Sequence, residues 1–116
     1  MNDAVLYLGN FSPMTSFAAL NRALGICKLF NLNHYDTHIT VHNCYDEFFK
    51  DTFLKENSIF LHEINFTKKT FYFSSKQYFE IINKIENLKI IVLYNFPYLP
   101  SKKILNYCRQ KGIKFI

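Results

Sequence analysis

An α/β fold built on a doubly wound, mostly parallel sheet with helices on both faces is predicted by three features of the 116-residue sequence. Apolar runs alternate with segments of helical spacing through most of the chain. The runs are continuously apolar rather than alternating, which suits parallel strands covered on both faces. The connections are long enough to return each strand parallel to the last. Composition agrees. With 49% hydrophobic and 18% aromatic residues, the chain folds rather than remaining disordered. Its length suits one domain with one core.

The elements follow in order. Ala4 to Leu8 (AVLYL) reads as the first strand, and "GNFSPMT" at 9–15 as turn chemistry. Thr15 or Ser16 is placed to cap a helix over 16–31, whose Phe17, Leu20, Leu24, Cys27 and Phe30 form one apolar stripe. Gly25 inside it costs about 1 kcal/mol relative to Ala, so close packing of this helix on the sheet is the expected reason for it. A second strand is expected over 36–42 and a short amphipathic helix over 45–55. A third strand follows over 58–64, and a short strand or irregular crossing over 67–75. A helix over 75–87 should turn Phe79, Ile82 and Ile85 or Glu86 to one side. "KIIVLYN" at 89–95 is the most apolar run and should be a central strand. "FPYLP" turns the chain. Ser101 is expected to cap a helix over 102–111 with Ile104, Leu105 and Cys108 inward, and Gly112 to end it before a last strand at 113–116. The whole is Rossmann-like.

Charge and cysteines narrow the function. The formal charge is +5, but the basic residues are spread, and no basic run is interleaved with stacking aromatics. No nucleic-acid partner is therefore expected. A solvated surface accounts for the charge, and a face toward anionic lipid or an anionic substrate is the alternative. The odd cysteines Cys27, Cys44 and Cys108 include no CxxC pair, which fits a reducing cytoplasm rather than a disulfide scaffold or zinc knuckle. Residues 1–10 show no signal-peptide pattern, and no apolar run reaches the roughly 18 residues of a membrane span.

Ligands of open parallel sheets bind beyond the carboxyl ends of the strands. Two loops lie there in the predicted order. The first carries Gly9, Asn10, Phe11 and Ser12, where Gly9 lets backbone approach a ligand and the following helix N-terminus favours anions. An ordinary strand-to-helix turn is the equal alternative. The window is not GxGxxG, and no Walker A motif occurs, so neither NAD nor another cofactor is expected. The second loop carries Asn95 and Phe96. Asn95 suits a sugar hydroxyl, or equally an Asx-turn that satisfies local backbone. His38 and His42 are four apart on a strand, roughly 13 Å, too far to share a metal. His42 faces either the cleft, the core or the surface. Asp46 and Glu47 are adjacent on an expected helix and do not face one another. A paired-carboxylate site is therefore not expected; Cys44 lacks a base partner in sequence and Cys27 and Cys108 sit on expected buried helix faces, so no nucleophilic thiol is expected either, and no catalytic residue is assigned.

Three stretches carry a resemblance: "VLYLGNFSP" at 5–13, "AALNRALGICKLF" at 18–30 and "IIVLYNFPYLPSKKILNYCRQKGIKFI" at 90–116. Together they resemble the N-terminal domain of family 4 bacterial glycosyltransferases, the retaining type with the two-domain GT-B fold. The matching positions near the C-terminus are Tyr94, Asn95, Phe96, Pro97, Tyr107, Cys108, Lys111, Gly112, Ile113 and Lys114; the middle, 31–88, is generic.

The resemblance implies that residues 1–116 form a single, incomplete Rossmann-like domain. It would be the acceptor-side part of an enzyme that moves sugar from a nucleotide-sugar donor to a glycan, lipid-linked or protein acceptor in polysaccharide biosynthesis. In such enzymes the last strand continues into an acidic segment and then a second domain that holds most donor contacts. A missing C-terminal domain or partner chain is therefore implied, and the fragment alone is expected to be inactive. The charge would suit a cytoplasmic protein near the inner face of a membrane. An exposed sheet edge would favour self-association. From another class stands a small stand-alone flavodoxin-like binding or interaction module without catalysis, and beside it a split enzyme with a separate second half.

Overall fold

The computed structural model describes residues 2–9, 17–42, 59–65, 74–94 and 98–116. The elements are β1 (Ala4–Gly9), α1 (Phe17–Leu32), β2 (Asp36–His42), β3 (Phe60–Ile64), α2 (Lys76–Lys84), β4 (Leu88–Tyr94), α3 (Tyr98–Lys111) and β5 (Lys114–Phe115). The strands form one sheet in the order β3-β2-β1-β4-β5, and every pairing is parallel. The expected helix over 45–55 lies outside the described residues, as do residues 67–73 of the crossing expected over 67–75.

All six residues of β1 are buried, as a central strand requires. Its side chains divide between two cores. Val5 and Tyr7 pack with Leu20, Ala23 and Cys27 of α1, and with Ile39, Val41 and Val92. Leu6 and Leu8 pack with Tyr78, Ile81 and Ile82 of α2, and with Ile104 and Cys108 of α3. Successive strand side chains point to opposite faces, so one core lies on each side of the sheet.

The helices depart from expectation in three places. Gly25 is exposed, and a Cβ there would meet nothing within 4 Å, so close packing is not its role. The second helix stops at Lys84, where Ile85 turns extended at φ −90°, and its buried residues are Tyr78, Ile81 and Ile82. Phe79 and Ile85 are half-buried and pack with Ile82 on the same core, the one side expected for them, while Glu86 is exposed. Finally, α3 starts at Tyr98, not after Ser101. Pro100 sits in its first turn, where helix N–H groups have no intrahelical acceptor, so a residue without an N–H is tolerated. Ser101 is therefore inside the helix and not its cap.

The C-terminal ends are better specified. Gly112 has φ +70°, and the Ile113 N–H donates to the Cys108 carbonyl at 3.0 Å. This is the Schellman closure that the glycine permits. At the end of α1, His34 takes the same left-handed place at φ 68°. The Tyr35 N–H donates to the Phe30 carbonyl at 3.1 Å, and the His34 N–H to the Asn31 carbonyl at 3.0 Å. The Phe30 and Tyr35 rings meet edge to face at 5.7 Å and close the motif with an apolar contact.

Candidate functional site

Chain direction through the sheet sets where a ligand can sit. From β1 the chain moves to β2 and β3 on one side, then returns to β4 and β5 on the other. The order reverses between β1 and β4, and in open α/β sheets the crevice beyond the carboxyl ends at that reversal is the binding place. The residues there are Gly9 and Tyr94, which are partners in the β1–β4 register. Gly9 and Tyr94 therefore end neighbouring strands side by side at one edge of the sheet.

Thr40 of β2 extends this edge. The buried Gly9 N–H donates to Thr40 Oγ1 at 3.2 Å. The glycine is thus held in place, with its N–H already engaged. Arg22, exposed on α1, donates from Nη2 to Tyr94 Oη at 3.0 Å. Its guanidinium carbon is 5.6 Å from the Tyr94 ring centroid, close enough for a cation–π attraction. Below them Tyr7 is buried. Burial raises its hydroxyl pKa, Cys27 and Tyr94 add to the rise, and Arg22 opposes it. The site thus offers the exposed Arg22 cation and the half-buried Tyr94 phenol, with Tyr7 closed off beneath them. That arrangement suits binding an oxygen-rich ligand.

Of the residues expected to bind, Gly9 lies at the reversal. Asn10, Phe11, Ser12, Asn95 and Phe96 lie outside the described residues. Arg22 and Thr40 were not singled out by sequence, because their roles arise from the register of β1 on β2 and β4.

A second polar group lies on the α2 side of the sheet. Ile39 and Val41 face the α1 core, so alternation turns His38 and His42 the other way. His38 Nδ1 lies 2.9 Å from His62 Nε2, with the rings stacked at 5.2 Å. Phe60 stacks on His38 at 4.8 Å. His42 is buried, and its Nε2 is 3.4 Å from Tyr78 Oη, which places it in the core. Burial drives His42 down to about 4. His62 is also lowered to about 4, first by burial and then by His38 and Lys84. Burial lowers His38 as well, against the opposing pull of Asp36. At neutral pH all three are uncharged, and one N–H between His38 and His62 makes their bond. Among the described residues no group of three His, Cys, Asp or Glu is arranged to hold a metal.

Compared with protein families, with curated proteins and with solved structures, the chain matches none. Cys27 and Cys108 are both buried, and burial raises Cys27 to about 12 and Cys108 in the same direction. Neither thiol is ionised at neutral pH, so neither is a nucleophile; Cys44 lies outside the described residues. No described helix is long and apolar enough to cross a membrane.

Proposed function

We propose that the chain is the N-terminal, acceptor-side portion of a retaining glycosyltransferase, acting from a nucleotide-sugar on a glycan, lipid-linked or protein acceptor. The observation that carries the reading is the pairing of Gly9 with Tyr94. It brings the ends of β1 and β4, two strands within the stretches that bear the motif resemblance, side by side at the reversal of strand order. Arg22 and Tyr94 supply a cation and a phenol of the kind that bind hydroxyl-rich ligands. Donor chemistry belongs to the opposite wall of such a cleft, so this portion binds without turnover, at the cytoplasmic face of a membrane.

The test is an NMR titration of the pure chain with oligosaccharide acceptors and nucleoside diphosphate sugars, alongside a transfer assay. Expected are shifts centred on Gly9, Thr40 and Tyr94 with the acceptor, and no donor-dependent transfer. Transfer by this chain alone, or no response at that edge to any sugar, overturns the reading.

A further inference from the structure

Arg22 is held in a way that its exposed place on α1 does not require. A guanidinium is a planar fork of N–H donors that accepts nothing. Nη2 of this fork donates to Tyr94 Oη at 3.0 Å, and the Tyr94 ring lies 5.6 Å from the guanidinium carbon. Ring and hydroxyl together fix where the fork points, which lowers the ordering cost of meeting a ligand. Among the described residues no carboxylate pairs with Arg22, and the side chain is exposed.

Tyr94 adds a donor of its own. Its oxygen receives the Arg22 N–H, so the phenolic proton turns elsewhere, and the pair presents N–H and O–H donors side by side. Such a set complements an oxyanion, which only accepts. The Gly9 backbone does not compete for that role, because its N–H is engaged by Thr40 Oγ1 at 3.2 Å. Charge in the sequence agrees. From Ala4 to Tyr35, the span of β1 and α1, there is no acidic residue, and from Asn87 to Ile116 there is none either. The two strand–helix units that flank the reversal therefore carry no fixed negative charge to repel an anion.

We propose that Arg22 is the specificity-determining residue of this edge, and that the acceptor sugar it selects carries an oxyanion, a carboxylate or a phosphate. The inference rests on the reading of the edge as an acceptor site and narrows it. One oxygen of the anion accepts from the Arg22 fork and another from the Tyr94 hydroxyl, while the sugar ring extends toward Gly9. A neutral sugar meets the same donors but leaves the cation without a counter-charge, so it binds more weakly. Tyr7 is buried beneath the pair and stays out of contact with the ligand.

The probes are glucose, glucuronate and glucose 6-phosphate, which share one ring and differ only at its exocyclic carbon, with uridine diphosphate glucose beside them. Each is titrated into the full chain and followed by amide NMR shifts at Gly9, Thr40 and Tyr94. Glucuronate and glucose 6-phosphate are expected to bind at least about tenfold more tightly than glucose. Arg22→Gln, which keeps most of the apolar stem, should bring both to within about twofold of glucose. Tyr94→Phe keeps the ring under the guanidinium, removes the hydroxyl, and should weaken both anions by about threefold or more. Lys28→Gln, the same loss of charge at another exposed position of α1, should change binding by less than about twofold. Glucose that binds this edge as tightly as the anions leaves the acceptor reading standing and overturns the inference. Discrimination that survives Arg22→Gln, or equal loss in Arg22→Gln and Lys28→Gln, overturns it in the same way. Uridine diphosphate glucose that binds through Arg22 while the monosaccharides are silent makes the residue a donor contact and also overturns it. No shift at this edge with any sugar overturns the inference and the acceptor reading together.

Discussion

Thr37 and Thr40 both lie on β2 with their side chains closed off from solvent, yet their hydroxyls differ in use. Thr40 Oγ1 accepts the Gly9 N–H, whereas Thr37 Oγ1 has no hydrogen-bond partner among the described residues. Replacing Thr40 by Val leaves a buried N–H without an acceptor, so Thr40→Val should destabilise by about 1–3 kcal/mol. Replacing Thr37 by Val removes a hydroxyl that is desolvated for no bond. Thr37→Val should therefore be neutral or stabilising by about 1 kcal/mol. Urea unfolding of the pair checks both signs, and a shared sign would mean the Gly9 bond is absent in solution. Gly25 offers a second test by the same method. It is exposed in the interior of α1 with open space where a Cβ would go, so Gly25→Ala should stabilise by about 1 kcal/mol. An unchanged midpoint would mean that α1 is frayed at that turn.

At the scale of elements, local signals in the sequence carry the strands and the helix stop at Gly112, while the other helix ends and partner choice across the sheet are not legible. The run over 36–42 and the glycine stop at 112 are visible because each depends on neighbours in sequence. The start of α3 was missed because Pro100 ends a helix read from one side and opens one read from the other. His34 at a left-handed C-terminus carries no comparable mark. The pairing of His38 with His62, 24 residues apart, needs the β2–β3 register, in which His38 faces Phe60 and Thr40 faces His62. That same pairing sets a pH response for β2, β3 and α2. The native state keeps His42 and His62 neutral down to about 4, whereas an unfolded histidine binds its proton near 6.5. The unfolded state therefore holds more protons in this window, and stability falls as pH drops from about 6.5 toward 4. Asp36 beside His38 and Lys84 beside His62 are the charges facing the pair. Protonating both histidines sets like charges 2.9 Å apart between β2 and β3. Melting temperature should thus be lower at pH 5 than at pH 7, and His62→Gln should flatten the dependence. A wild-type profile that is level between these pH values would mean that the histidines titrate as they do in the unfolded chain.

Across the whole molecule, stability should grade from the centre of the sheet to its β5 margin. β1 is bonded on both sides and buried at every residue, and both cores meet on it. Opening its amides requires both helical layers to separate, which is close to global unfolding. β5 is two residues long and among the described residues pairs with β4 alone, so the bond from the Ile116 N–H to the Ile91 carbonyl can break while both cores stay closed. Native-state hydrogen exchange should place the amides of β1 at the global limit, with Ile116 exchanging faster by at least roughly a hundredfold. The Phe115 amide, pointing away from β4, should be faster still. Ile113 packs into the α3-side core, so the helix end before β5 should remain protected and confine the opening to the strand. Equal exchange in β1 and β5 would mean that the margin opens only with the whole sheet.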